Sequence, residues 1–252
     1  THECSSAASD VYKRQSEISD SEFSSNQIQS KRGGAIEFSA GSDLILTGST
    51  FKDNVSAEGG GALSVYQDST LIISDSSFSG NSNTSTRDAY GGALFVYDND
   101  NGEDLTISGS TFEDNAASLS GGALYVYGMD AVDISDTVMN NNEASAVSNT
   151  SLYYGGAGNF YDVSSLSLTN TDVCGNNSDY AGGFYFELVT DVTMANATMV
   201  ENSASQNGGN VYAFDVTAID MENNSFVGAS GGNLYFSKTA VDFTNNVVAY
   251  TC

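Results

Sequence analysis

A short glycine motif recurs along this chain and constrains its fold more than any other feature. A Gly-Gly pair, followed by a small residue and an apolar one, occurs four times in strict form and then in looser copies. The copies begin at Gly33, Gly60, Gly91, Gly121, Gly155, Gly182, Gly208 and Gly231. Successive copies start 23 to 34 residues apart. A period of this size predicts a stack of similar structural units rather than one compact core.

A second motif, Phe-x-x-Asn, alternates with the first. Its copies are Phe23/Asn26, Phe51/Asn54, Phe78/Asn81 and Phe112/Asn115, with softened forms at Val138/Asn141, Val173/Asn176 and Met199/Asn202. We expect the aromatic or aliphatic residue to fill one side of each unit. The asparagine then stands at a turn, where amides stacked from unit to unit can hydrogen-bond along the stack.

Each repeat contains three short apolar runs separated by turn residues. In the fourth repeat these are residues 124–127, 132–135 and 137–139. Apolar and polar residues alternate with a period of two, which is typical of strands with one buried face. The runs are too short for helices. The chain also contains no proline, as expected where strands have neighbours on both sides.

Three strands and three turns per repeat predict an all-β fold, a right-handed single-stranded parallel β-helix of about eight to nine coils. In the second strand of each coil, alternate apolar residues should point inward and stack, as in Leu71/Ile73, Leu105/Ile107 and Val132/Ile134. The Gly-Gly pair supplies a corner that needs a positive φ angle or a close backbone approach.

The first 15 residues carry no repeat. Residues 5–15 resemble a peptide obtained when sequencing-adapter DNA is translated in assembled environmental transcripts. We therefore expect residues 1–15 to be a non-native leader, which includes the only histidine, His2. Residues 16–252 are expected to form one β-helix domain. Since the chain stops within a repeat at Cys252, we expect this domain to be an internal fragment of a longer protein.

The combination of Gly-Gly-Ala-aliphatic with Phe-x-x-Asn resembles the repeat of the chlamydial polymorphic outer-membrane proteins. The resemblance covers residues 16–252 and is strict in the first four glycine copies. In later copies Phe184, Asn210 and Asn233 stand where alanine belongs. The resemblance implies a surface-exposed passenger β-helix, often an adhesin. Similar repeats occur in unrelated bacterial and protist surface proteins. We therefore expect an extracellular or cell-surface location, associated with the outer membrane if the protein is bacterial.

The charge of the chain restricts its partners. Seven basic residues against 32 acidic ones give a net charge of −25. Such a surface repels the phosphates of nucleic acids and anionic membranes. No apolar run approaches the roughly 18 residues of a membrane span, so direct insertion is not expected. The expected partners are a protein or glycan on a host or neighbouring cell, or further copies of the chain in an extracellular filament or matrix.

A carbohydrate-active enzyme with a pectin lyase-like β-helix is the alternative. A polysaccharide lyase needs a basic group and cations near the substrate carboxylate. After residue 16 the only basic residues are dispersed: Lys31, Arg32, Lys52, Arg87 and Lys238. A polygalacturonase-like hydrolase would need a histidine and an Arg-x-Lys pair, and neither accompanies the one matching tripeptide at residues 170–172. No catalytic residue is predicted.

Metal binding and glycosylation give weaker signals. Asp98, Asp100 and Asp104 lie in the densest carboxylate loop and are a weak Ca²⁺ candidate, although a solvated turn is the favoured explanation. No other cofactor is expected. Asn-x-Ser/Thr sequences permit N-glycosylation in a eukaryotic secretory route, at the frequency expected by chance. They begin at Asn54, Asn83, Asn149, Asn176, Asn196 and Asn223.

Aromatic residues give the one positive functional lead. They occupy the outward positions of the first strand in successive coils: Tyr66, Phe95, Tyr97, Tyr125, Tyr127, Tyr161, Tyr212, Phe214 and Tyr235. Since side chains at i and i+2 share a face, two adjacent columns should run along one flat side of the helix. Tyrosine combines an apolar ring with a polar tip, which suits stacking on sugars or packing against a partner. Alternatively, the rings only stack on one another and stabilise the coils.

Overall fold

The computed structural model describes residues 14–39, 42–66, 69–85, 89–98, 102–145 and 152–250. In these ranges the chain forms strands, turns and bends, and no helix. Every strand pairs in parallel with the corresponding strand of the preceding or following coil. The chain therefore winds as a parallel β-helix of about eight coils.

The strands are numbered in chain order. The first sixteen are β1 (Arg14–Ser19), β2 (Glu22–Ser24), β3 (Ile36–Ser39), β4 (Ser42–Thr47), β5 (Thr50–Lys52), β6 (Val55–Ser56), β7 (Leu63–Tyr66), β8 (Leu71–Ser74), β9 (Ser77–Ser79), β10 (Ser82–Asn83), β11 (Leu94–Tyr97), β12 (Asp104–Ser108), β13 (Thr111–Glu113), β14 (Ala116–Ala117), β15 (Leu124–Tyr127) and β16 (Ala131–Ser135). The remainder are β17 (Val138–Asn140), β18 (Glu143–Ala144), β19 (Gly158–Tyr161), β20 (Ser165–Thr169), β21 (Asp172–Cys174), β22 (Asn177–Tyr180), β23 (Phe184–Glu187), β24 (Asp191–Ala195), β25 (Thr198–Val200), β26 (Ser203–Asn207), β27 (Val211–Phe214), β28 (Ala218–Glu222), β29 (Ser225–Val227), β30 (Leu234–Ser237), β31 (Ala240–Thr244) and β32 (Val247–Ala249).

Four sheets run along the stack of coils. Sheet A has the order β1-β4-β8-β12-β16-β20-β24-β28-β31, and sheet B the order β2-β5-β9-β13-β17-β21-β25-β29-β32. Sheet C has the order β26-β22-β18-β14-β10-β6, and sheet D the order β3-β7-β11-β15-β19-β23-β27-β30. The first, second and third strands predicted for each coil lie in sheets D, A and B respectively. The predicted parallel β-helix is confirmed.

Sheet C is an element that the sequence did not predict. Most of its strands have only two residues, such as β6 and β14. They directly follow the asparagine of the Phe-x-x-Asn motif. Because two residues cannot display a period of two, the alternation that revealed the other strands is absent here. The chain therefore crosses four sheets in the coils that contain this element.

The core is a set of columns that continue from coil to coil. Leu71, Leu105 and Val132 are neighbours in sheet A and are almost completely buried, as predicted. In sheet B the rings of Phe51 and Phe78 stack at 4.8 Å between centroids, and those of Phe78 and Phe112 at 4.7 Å. Stacked identical side chains keep the registers of adjacent strands fixed, since a slip by one residue would turn each ring toward solvent.

The asparagines of the Phe-x-x-Asn motif form a buried ladder. The Oδ1 of Asn115 accepts hydrogen bonds from both the backbone N–H and the Nδ2 of Asn81, each at 3.0 Å. Its own Nδ2 donates to the carbonyl of Phe78 and to the next ladder residue, Asn142. The sequence analysis assigned the fifth copy of the motif to Val138/Asn141, and this assignment is wrong by one residue. Met139 pairs with Phe112, so Asn142 is the ladder residue. Asn141 is exposed.

The two glycines of each Gly-Gly corner have different structural roles. Gly121 has a φ angle of 67°, a conformation that glycine adopts without steric cost. Gly122 leaves no room for a side chain, because an added Cβ would overlap the carbonyl oxygen of Gly156. In the sixth copy the sequence placed the first glycine at Gly182, and this assignment is wrong. Ala181 takes the position equivalent to Gly155, with a φ angle of 57°.

The first described strand begins inside the segment that was expected to be a leader. β1 begins at Arg14, two residues before the predicted start at residue 16, and Gln15 pairs with Asp43. Residues 1–13 lie outside the described part of the chain. Within the described ranges, no helix has the length and apolar character of a membrane span.

Candidate binding surface

The predicted aromatic residues lie on the outward face of sheet D, in two columns set by the parallel register. Column 1 contains Ser64, Phe95, Tyr125, Asn159, Tyr185, Tyr212 and Tyr235. Column 2 contains Tyr66, Tyr97, Tyr127, Tyr161, Glu187, Phe214 and Ser237. The structure therefore brings all nine predicted residues together on one surface, which we call the aromatic face.

Most of these rings are half-buried, with an edge in solvent. Tyr235 is the most exposed, at 37%. The expectation that Phe95 points freely into solvent is wrong, because its side chain is only 3% exposed. The rings of Tyr66, Tyr97 and Tyr125 all contact it, so Phe95 supports the surface without presenting its own ring.

The rings stack along both columns. In column 2 the centroids of Tyr97 and Tyr127 are 4.7 Å apart, and those of Tyr127 and Tyr161 are 5.4 Å apart. In column 1 Tyr212 and Tyr235 stack at 4.5 Å. The ring-to-ring stacking that was the alternative explanation for the aromatic columns is therefore present. The stacking also fixes the rings in position, so the tyrosine side chains lose less conformational entropy when a partner binds.

A third row of tyrosines was missed by the sequence analysis. Parallel bridges align Tyr90, Ser120, Tyr154 and Tyr180 in the turn before sheet D. Tyr90 contacts Tyr125 with 4.6 Å between centroids, and Tyr154 contacts Tyr185 at the same distance. Tyr90, Ser120 and Tyr154 directly precede the first glycine of their corners, and Tyr180 precedes Ala181, which takes that position in the sixth copy. Aligning the corners would have revealed the row.

Cationic side chains lie on the aromatic face near both of its ends. The guanidinium carbon of Arg32 is 4.7 Å from the ring centroid of Tyr66, and its Nε is 3.3 Å from Glu58. Toward the other end, the Nζ of Lys238 is 4.7 Å from the ring centroid of Phe214. That Nζ is also 3.6 Å from a carboxylate oxygen of Asp215. Each cation therefore has both a ring and a carboxylate as neighbours.

A cavity of about 200 Å³ opens in the middle of the aromatic face. Its lining includes Tyr90, Leu119, Ser120, Tyr125, Leu152, Tyr154, Asn159, Tyr161, Tyr185 and Glu187. Asn159 separates Tyr125 from Tyr185 in column 1. The hydroxyl of Tyr185 donates a hydrogen bond of 3.0 Å to the carboxylate of Glu187.

Burial favours the neutral phenol at three positions of this surface. Burial raises the pKa of Tyr66 to about 12, and it also raises the pKa values of Tyr125 and Tyr185. After burial, the negative charge of Glu187 contributes to the raised pKa of Tyr185, and it also acts on Tyr125. The centre of the aromatic face therefore combines neutral rings with one nearby carboxylate.

The other predicted sites are dispersed. Asp98 is buried, Asp104 is exposed at the start of β12, and Asp100 lies outside the described residues. No group of three or more potential ligands among His, Cys, Asp and Glu is found in the described residues. The Ca²⁺ candidate remains a prediction.

Three of the six glycosylation candidates are buried. Asn54 and Asn176 belong to the asparagine ladder and are completely buried, and Asn83 is buried nearby. In the folded protein these amides are inaccessible to a glycosyltransferase. Asn196 and Asn223 are exposed at turns, and Asn149 lies outside the described residues.

An open groove of about 730 Å³ lies along sheet A toward the end of the coil stack. Its ionisable lining consists of Asp191, Asp220 and Asp242. Asp220 and Asp242 are direct partners in adjacent strands. Parallel neighbours of this kind lie about 4.8 Å apart, so their carboxylates share one side of the groove.

The coils and their stacked polar and aromatic ladders define a parallel β-helix repeat protein. The model of the right-handed β-helix region family matches residues 2–146, more than half of the 252 residues. The protein belongs to this family. No curated protein and no solved structure matches the chain significantly.

Proposed function

We propose that the protein is a non-catalytic β-helix of the cell surface or extracellular space that binds a partner through its aromatic face. The observation that carries this proposal is the continuity of the face. Each strand of sheet D from β7 to β30 places at least one aromatic ring on it. Phe95 and Tyr185 are themselves buried, but partly exposed rings lie on either side of them. An aromatic surface of this extent is unusual on a solvated protein and is typical of binding sites.

The partner is a glycan or protein on a neighbouring or host cell, or a second copy of the chain. Tyrosine edges supply apolar contact together with hydroxyl groups, which suits the faces and hydroxyls of sugars. The net charge of −25 disfavours nucleic acids and anionic membranes. The likeness of the repeat to those of the polymorphic outer-membrane proteins also favours an adhesive role.

Replacing Tyr97 and Tyr127 together by alanine tests this proposal. We expect binding to target cells or to a glycan array to weaken at least about 30-fold, because truncating one central aromatic residue of an interface costs about 2 kcal/mol or more. A matched pair on the outward face of sheet A, Ile72→Ala with Thr106→Ala, should leave binding unchanged. Analytical ultracentrifugation of the same proteins measures self-association.

Loss of stability without loss of binding would contradict the proposal. Stacked aromatic pairs contribute about 0.5–1.5 kcal/mol, so the Tyr97/Tyr127 double variant should also unfold at a slightly lower temperature. If this were its only effect on cell binding, glycan binding and self-association, the aromatic face would serve the coils alone.

The groove on sheet A favours a carbohydrate-active enzyme as the second candidate. Two carboxylates about 5 Å apart match the separation used by retaining glycosidases, and Asp220 and Asp242 are adjacent in the groove. Release of new reducing ends from a polysaccharide by the wild-type protein, but not by Asp220→Asn, would establish this function. Activity that persists in the variant would exclude the groove as its source.

A further inference from the structure

The two aromatic columns are interrupted next to each other. Asn159 stands between Tyr125 and Tyr185 in column 1, and Glu187 follows Tyr161 in column 2. Adjacent strands rise by about 4.8 Å, so two rises of about 9.6 Å separate the backbones of Tyr125 and Tyr185. Directly stacked rings on this face lie 4.5–5.6 Å apart. The smaller asparagine therefore leaves space for about one additional ring layer, and this space is the central cavity.

Tyrosines surround this space on several sides. Tyr90 lies against Tyr125, and Tyr154 lies against Tyr185. Tyr161 contributes to the wall from column 2. The cavity is thus lined by five rings and remains open to solvent.

Two side chains of the cavity lining offer acceptor oxygens, Glu187 and Asn159. The Glu187 carboxylate is negatively charged and is oriented by the hydroxyl of Tyr185. Asn159 is only 4% exposed, and its buried Oδ1 has no hydrogen-bond partner among the described residues. Ring faces with an adjacent carboxylate attract organic cations, through the quadrupole of each ring and the charge of the carboxylate.

Near both ends of the aromatic face, a cation of the chain itself lies on a ring and beside a carboxylate. Arg32 lies on Tyr66 beside Glu58, and Lys238 lies on Phe214 beside Asp215. The central cavity has more rings and its own carboxylate. No lysine or arginine occurs among its described lining residues. A cation from outside the chain would complete the pattern.

We propose that the central cavity binds an alkylammonium group, either the lysine side chain of a partner or a free quaternary ammonium compound such as choline. This inference rests on the proposed function, since it assigns a ligand class to the middle of the same face. A cavity of about 200 Å³ is smaller than the roughly 300–1,000 Å³ of sites for drug-sized ligands, which fits a single headgroup. The net charge of −25 raises the local concentration of cations and disfavours anionic ligands.

Three probes of similar size test the proposal by NMR titration at low salt. These are n-butylammonium for a lysine side chain, choline for a quaternary ammonium, and 3,3-dimethyl-1-butanol as the neutral isostere of choline. We expect at least one cation to bind about tenfold more tightly than the neutral alcohol. The stronger of the two cations identifies the source. If neither n-butylammonium nor choline binds more tightly than the neutral alcohol, the proposal is overturned.

Two variants locate the site. Glu187→Gln should weaken the binding of the preferred cation about tenfold, whereas Glu113→Gln, an equal charge change at an exposed position of sheet B, should leave it unchanged. Asn159→Tyr should insert a ring between Tyr125 and Tyr185, abolish cation binding and leave the unfolding temperature unchanged or higher. Retained binding in a folded Asn159→Tyr protein, or in Glu187→Gln, would place the cation elsewhere and contradict the inference.

The test separates this inference from the function on which it rests. The Tyr97/Tyr127 double variant removes rings that do not line the cavity, although Tyr127 stacks on Tyr161, and it should still bind the cation more tightly than the neutral alcohol. A protein that binds cells or glycans through these rings but no ammonium probe would refute only the cavity assignment. If the protein instead binds the probe but no cell, glycan or second copy, the broader function fails and the cavity stands.

Discussion

Replacing Gly122 by alanine is expected to destabilise the protein by about 3 kcal/mol or more, at the upper end of the roughly 1–3 kcal/mol that overpacking a filled site usually costs. The new Cβ would overlap the carbonyl oxygen of Gly156 and lie 2.7 Å from the backbone nitrogen of Glu143. Both obstacles are backbone atoms, so no side chain can rotate away. Relief requires two coils to separate, which would lengthen the parallel hydrogen bonds on every side of the stack.

Chemical denaturation followed by circular dichroism measures this effect. Gly102→Ala is the matched control, because nothing lies within 4 Å of the Cβ that it would add. It should be neutral or stabilising by up to about 1 kcal/mol, since alanine restricts the unfolded chain. Similar stabilities for the two variants would show that close approach of the coils is not what the second glycine of the corner provides.

The repeat is visible in the sequence because each coil meets the same physical demands. Gly122 permits the close approach of adjacent coils, and Phe112 fills the side formed by sheet B. In β16, successive side chains point alternately into the core and toward solvent. These are local requirements that recur once per coil. The fold class and the three main sheets could therefore be predicted.

What was missed depends on register between coils. Both Asn141 and Asn142 follow an apolar residue by three positions, and only the pairing of Met139 with Phe112 decides between them. At the sixth corner Ala181 adopts a positive φ angle, which the presence of an alanine does not predict. The same limitation concealed the cavity. Nothing in the sequence distinguishes Asn159. Its small side chain leaves a gap in column 1 because the register places it between Tyr125 and Tyr185.

Loss of one rung of the asparagine ladder should have the second large effect. Asn115→Ala removes the acceptor of the buried backbone N–H of Asn81 and the donor to the carbonyl of Phe78. Each buried polar group left without a partner costs about 1–3 kcal/mol. We therefore expect a total loss of about 3–5 kcal/mol in the free energy of unfolding, measured by chemical denaturation.

Two comparisons test whether hydrogen bonding causes this loss. Asn177→Ala, at an exposed position of β22, should change stability by no more than about 0.5 kcal/mol. Asn115→Asp retains the acceptor for Asn81 but directs an oxygen at the carbonyl of Phe78 and the Oδ1 of Asn142, where Nδ2 now donates. At neutral pH it should therefore be at least as destabilising as alanine, although its volume is nearly that of asparagine. An aspartate variant as stable as wild type would mean that the ladder acts through shape, and that its donors contribute little.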